Sequence, residues 1–198
     1  MNLQDKYKHI LTFYKDQAYF YDLTRWTFLF GRNKLIRTLK IKKYDKILEI
    51  GSGTGSLLKS IENINSKIDL TGIDISSQMI EKASNKLKNT NLINCFFEDF
   101  EATQKYDIII FSYTLTIVKD EHAKTIKKAK ELLKKGGKIY IVDFYDAVNL
   151  YRKFMEKKEI MIDPGDLEIL KKHFPNNNYS INKAYFGIWK YYLFTGHK

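Results

Sequence analysis

The chain has 198 residues, 44% of them hydrophobic and 29% charged, with 34 Lys and Arg against 23 Asp and Glu for a net charge of +11. This length and apolar content suit one folded domain with a substantial core and exclude wholesale disorder. Cys95 is the only cysteine, which excludes an intramolecular disulfide and a cysteine zinc cluster, and no apolar run approaches the roughly 20 residues that cross a bilayer.

Residues 1–43 carry ten Lys and Arg against three Asp, a net +7, together with nine aromatic residues between Tyr7 and Phe30. Basic charge interleaved with aromatic rings attracts an anionic partner, either a lipid headgroup surface or nucleic acid. The competing reading is a helical extension whose aromatics cap the core and whose lysines are solvated. The opening residues lack the apolar stretch of a signal peptide, so the expected location is the cytoplasm, with the extension on the inner face of the membrane.

From residue 46 the hydrophobic period alternates. Residues 46–50 (KILEI) predict a buried strand, the glycine-rich turn 51–55 follows, and 56–64 predict a helix. A strand over 68–73, a helix over 76–87 opened by a Ser N-cap, and strands over 92–97 and 106–111 come next. A helix over 120–134 ends at Gly136-Gly137, before a fifth strand over 138–144. Its lysines (Lys124, Lys127, Lys128, Lys130, Lys134 and Lys135) predict a solvated outer face. The tail holds two aromatic strands, 179–186 and 188–195, parted by Gly187 as a closing antiparallel hairpin. Alternation of this kind implies an α/β fold: a doubly wound, mainly parallel seven-stranded sheet in a core of 44–198, with the 1–43 extension belonging to the same domain.

The chemistry lies in Ile47-Leu48-Glu49-Ile50-Gly51-Ser52-Gly53-Thr54-Gly55, where a strand enters a turn with alternate glycines and leaves as a helix. Glycine lets a ligand approach main-chain N–H groups, and the carboxyl end of the first strand is where open α/β sheets bind ligands. About twenty residues on, Asp74 ends the second strand, where an acid accepts hydrogen bonds from both hydroxyls of a ribose. The dinucleotide fingerprint G-x-G-x-x-G fails, because Ser56 stands where its third glycine belongs. Glu49 beside the turn disfavours a pyrophosphate and favours a sulfonium compound bearing an α-amino group. The residues therefore favour S-adenosylmethionine over NAD.

Residues 46–144 resemble the class I S-adenosylmethionine-dependent methyltransferases, and so imply a Rossmann-like fold. By that resemblance Gly51, Ser52, Gly53 and Gly55 cradle the cofactor beside Glu49, Asp74 holds its ribose, and Ile75 and Met79 flank adenine. Asp99 accepts from the exocyclic amine, and Phe100 lines the ring. Tyr21-Asp22-Leu23-Thr24-Arg25 with Phe28-Leu29-Phe30-Gly31-Arg32 resembles the N-terminal signature of betaine-lipid N-methyltransferases, which methylate the amine of diacylglyceryl homoserine. Residues 111–117, 142–144 and 184–189 resemble further stretches of that family. A lipid amine is therefore the implied acceptor, with a quinone or small amine as the alternative. Use of the cofactor for sensing, or for transfer of another group, is a further possibility on the same fold. RNA is disfavoured, because the chain has no appended RNA-binding module.

Amine methylation requires alignment, dehydration and loss of a proton from an ammonium whose pKa is about 10. Aromatic faces suit the permanently charged product. Tyr113, after strand four, and Tyr21 are the expected pocket walls, with Tyr14 and Trp189 as further candidates, and Asp143, after strand five, is the expected amine-binding or deprotonating group. Arg32 and Ser112 are expected at the cofactor, Arg32 through its carboxylate. Arg25 has the same capacity. His9, His122, His173 and His197 show no ligand spacing, so no metal is expected.

Overall fold

β-branched and aromatic runs bounded by glycine or polar turns make the central strands. The computed structural model describes residues 29–64, 67–118, 121–157 and 160–198. The strands are β1 (Lys46–Ile50), β2 (Asp69–Asp74), β3 (Thr90–Asn94), β4 (Tyr106–Ser112), β5 (Leu133–Ala147), β6 (Asn177–Ala184) and β7 (Trp189–His197). They form one seven-stranded sheet in the order β3-β2-β1-β4-β5-β7-β6, with β1 to β5 parallel and β7 antiparallel to both its neighbours. This is the expected α/β architecture, and the reversal of strand order at β1 and β4 opens a crevice at their carboxyl ends.

Period-two alternation sends neighbouring residues of β1 to opposite faces. Ile47 joins a cluster with Leu57, Leu58 and Ile61 of helix α2 (Ser56–Ile64), and Leu35 of α1 (Arg32–Thr38) packs there too. Leu48 joins the other cluster, with Ile126 and Ala129 of α5 (His122–Leu132) and Leu167 and Leu170 of α7 (Gly165–His173). Helix α3 (Ser77–Lys86) starts where expected. Its N-cap, Ser76, accepts from the Met79 amide at 3.4 Å.

Three short helices arise where the sequence pattern gave none: α4 (Leu115–Val118), α6 (Asn149–Glu156) and α7. β3 ends earlier than its apolar run, because the Cys95 amide and the Asn94 side chain both donate to the Asp74 carbonyl and turn the chain away. β5 starts before the Gly136-Gly137 pair, not after it. The lysines of α5 and of the start of β5 are not uniformly solvated. Lys128 donates to the carbonyls of Phe97 and Glu98 at 2.7 Å, Lys130 to that of His173, and Lys134 pairs with Asp107 at 2.6 Å. Their aliphatic stems cover apolar surface while the ammonium groups tie down neighbouring loops. Tyr14, Tyr21 and Arg25 lie outside the described residues.

Candidate functional site

β1 delivers the chain into the glycine turn, which folds back over the end of β2: the amides of Gly51 and Ser52 both donate to the Ile73 carbonyl, at 2.9 and 3.0 Å. Gly51 sits at φ +70, and a Cβ there would come within 2.5 Å of the Thr114 hydroxyl oxygen. No other residue type fits that position without strain. Asp74 closes the turn from the other side, accepting from the Gly53 amide at 2.8 Å on one oxygen and from the Ser76 amide at 2.9 Å on the other. Burial raises its pKa, against the pull of those two amides.

Glu49 is fully buried beneath the turn, and neither of its carboxylate oxygens has a hydrogen-bond partner among the described residues; the same holds for the Ser52 hydroxyl. Burial pushes the Glu49 pKa up to about 8, with Arg32 opposing and Asp74 reinforcing that rise. A buried acceptor without a donor is costly, and a bound cationic group would relieve it. Arg32 lies alongside, its Nε donating to the Ser112 hydroxyl at 2.7 Å. An acid and a guanidinium beside one turn complement the two charges of an amino-acid zwitterion.

Tyr113, the residue after β4, adopts φ +58, a left-handed conformation that costs a non-glycine residue about 1–2 kcal/mol. Two hydrogen bonds hold it there: its amide donates to the Val142 carbonyl at 2.8 Å and its hydroxyl to the Phe30 carbonyl at 2.6 Å. Burial, reinforced by the charge of Asp143, keeps the phenol protonated well above its ordinary range. Its ring meets Phe144 edge-on at 4.8 Å, and a run of rings continues through Trp189 to Tyr185 and Phe30. Asp143 is buried behind this wall, and four donors take its oxygens: the amides of Leu115, Thr116 and Phe144 and the Thr116 hydroxyl. Burial raises its pKa to about 6, against those hydrogen bonds. These contacts fix α4. His122 braces the same helix, meeting the Leu115 carbonyl with Nε2 and Asp166 with Nδ1 at 2.5 Å.

The resulting cleft, open to solvent, runs between the glycine turn, the end of β2 and α4. Of the residues expected from sequence, Gly51, Gly53, Asp74, Ile75, Met79, Ser112 and Tyr113 line it together. Glu49, Ser52 and Gly55 lie beneath or behind the turn and Asp143 behind α4. Asp99 is exposed, and Phe100 belongs to the core; neither faces the cleft. Sequence reasoning missed Thr114, Ile117 and Val118 at α4 and Cys95, Phe96 and Glu98 after β3, all of which line the cleft. Residues 111–117 carried a family resemblance that assigned roles only to Ser112 and Tyr113, and Cys95 and Phe96 read as part of the third strand. Burial raises the Cys95 thiol, in keeping with a packing role.

Residues 41–185 match the family described as methyltransferase domain. A malonyl-[acyl-carrier protein] O-methyltransferase of Ilyobacter polytropus is 38% identical over 108 residues, 52% of this chain and 39% of that protein. A demethylmenaquinone methyltransferase of Thermotoga maritima is 24% identical over 146 residues, 69% of this chain and 62% of that one. The chain thus spans less than two thirds of these curated relatives. Among solved structures, a Haemonchus contortus phosphoethanolamine N-methyltransferase 2, in complex with phosphomonomethylethanolamine and S-adenosylhomocysteine, superposes with a TM-score of 0.75 at 16% identity. That likeness covers 91% of this chain and 56% of the other. With the glycine turn, Asp74 and this strand order in place, the chain belongs to the methyltransferase-domain family, the class I S-adenosylmethionine-dependent methyltransferases.

Proposed function

We propose that this protein methylates the amino group of a lipid headgroup of the diacylglyceryl-homoserine kind, working at a membrane surface. S-adenosylmethionine supplies an electrophilic methyl group on a sulfonium sulfur. Glu49 and Arg32 would hold the amino and carboxylate groups of its methionine end, Asp74 the ribose hydroxyls, and Ile75, Met79 and Phe96 the adenine faces. The orphaned carboxylate of Glu49 and the crowding at Gly51 support that fit.

The observation that carries the acceptor reading is Tyr113. Its backbone is strained, its hydroxyl is engaged with Phe30, and the residue lines the cleft with its ring packed against Phe144, which in turn meets Trp189. A phenol held in its protonated form is not a base; it is a rigid aromatic wall, and such walls stabilise a nitrogen gaining permanent positive charge by roughly 0.5–2 kcal/mol each. Asp143 acts as a positioning residue through Leu115 and Thr116. The Haemonchus neighbour is complexed with phosphomonomethylethanolamine, so the fold is compatible with amine acceptors.

Incubation of the purified protein with methyl-labelled cofactor and, separately, diacylglyceryl homoserine, a demethylated quinone or ethanolamine phosphate tests this reading. Label should accumulate in the homoserine lipid, as products bearing up to three added methyl groups. Label entering only the quinone or the soluble amine would overturn the lipid assignment.

A further inference from the structure

The turn between β6 and β7 holds Tyr185, Phe186 and Gly187 in succession at φ 44, 56 and 100. Two consecutive aromatic residues in the left-handed region are strained, and strain of this kind persists where function uses it. Phe186 gains nothing inside the molecule in return, for the residue is fully exposed. The Val148 amide donates to the Ile188 carbonyl at 3.0 Å, which fastens the start of α6 beside the turn. Val148 and Ile188 are half-exposed next to Phe186, and Leu150, 83% exposed, follows in the first turn of α6.

The surroundings of these residues are basic. Lys153 on α6 and Lys157 at its C-cap are exposed, and the Lys183 stem lies against Gly187, where a Cβ would sit 3.9 Å from its Cδ. Glu156 is the one exposed acid of α6, and the nearby Asp146 is occupied by Arg152 at 2.6 Å and Lys190 at 3.0 Å. Exposed aromatic and aliphatic tips ringed by lysine match the depth profile of an anionic bilayer, whose headgroups meet the ammonium groups while the rings enter the acyl boundary. A projecting phenylalanine needs no shaped partner there. We infer that the β6–β7 turn and the adjoining face of α6 form the surface by which this protein docks on an anionic membrane. Trp189 and Tyr185 connect that surface to Phe30, whose carbonyl holds the Tyr113 hydroxyl at the cleft. Docking here brings the cleft close to the bilayer.

The inference rests on the lipid reading for its purpose, but not for its test. Sedimentation of the full chain with phosphatidylcholine vesicles, with and without phosphatidylglycerol, reads docking in the absence of any methyl acceptor. The protein should pellet with the anionic vesicles, less so as salt rises, and only weakly with phosphatidylcholine alone. The double variant Phe186→Ser with Leu150→Ser, its fold verified by unchanged binding of S-adenosylhomocysteine, should lose roughly tenfold or more in partitioning. Three results overturn the inference: no sedimentation of the wild type with anionic vesicles, partitioning of the double variant within twofold of wild type, or a shift in the variant from dimer to monomer, which assigns the surface to a second copy. Methylation of detergent-dispersed lipid by a double variant that no longer docks leaves the acceptor assignment intact, so the two failures are distinguishable.

Discussion

Glu49→Gln should make the ligand-free protein more stable and its cofactor binding weaker. Folded Glu49 keeps its proton up to about pH 8, whereas the unfolded chain releases it near the ordinary 4.5. The folded state therefore binds more protons across that window, and stability falls as pH rises through it. At pH 7 the accumulated penalty is roughly 3 kcal/mol, from about 1.4 kcal/mol per pH unit. Glutamine fills the same space and never ionises, so the variant should melt roughly 5–10 °C higher at pH 7 and lose this advantage near pH 4.5. An ammonium group bound at Glu49 draws on a charge-assisted hydrogen bond worth about 1.5–3 kcal/mol, so affinity for S-adenosylhomocysteine should fall by roughly 10- to 150-fold. Wild-type affinity should climb by roughly tenfold per unit from pH 6 towards 7.5 as the carboxyl becomes easier to ionise, and the variant's should stay flat. Thermal melts and titration calorimetry across pH 5 to 8 read both quantities. A variant that is less stable than wild type at pH 7, or that binds within twofold of it, would refute the reasoning.

Gly51→Ala forces a Cβ against Thr114 at a left-handed backbone, and should cost about 2–3 kcal/mol in urea denaturation while removing detectable S-adenosylhomocysteine binding. Tyr113→Phe leaves the Phe30 carbonyl without its donor. We expect about 1 kcal/mol of lost stability and a fall in kcat of roughly tenfold, with S-adenosylhomocysteine affinity unchanged by calorimetry. Asp143→Asn places an amide among donors that all need acceptors. It should cost at least about 2 kcal/mol, and methyl transfer should recover its normal pH profile when assayed well below the melting temperature; an altered profile would show that Asp143 exchanges protons with the amine.

The half of the cleft built from contiguous backbone was legible in the sequence. The Ser76 cap and the Asp74–Ser76 bond close within two or three positions, and the alternate glycines and Asp74 each mark the end of a strand, although the bond between Gly53 and Asp74 spans 21 residues. The other half was not, because its residues meet only through the fold. Nothing local marks Leu115–Val118 as a helix; Asp143, 27 and 28 residues away, and His122 bind its amides, hydroxyl and carbonyl and wind it into α4. Asp99 and Phe100 carry the family pattern, but the early end of β3 brings Cys95, Phe96 and Glu98 to the cleft instead. The C-terminal hairpin was visible from its turn. Its place in the sheet was not, since pairing partners 42 to 59 residues apart leave no local trace.

β7 also governs the order in which the molecule can be assembled. It is made after every other strand, yet it lies between β5 and β6 and pairs β5 from Lys138 to Ala147. A nascent chain that has not yet produced Trp189 therefore presents the long apolar margin of β5 with no neighbour, and β6 with nothing to join. That edge stays open to pairing until the β6–β7 hairpin inserts and closes the sheet.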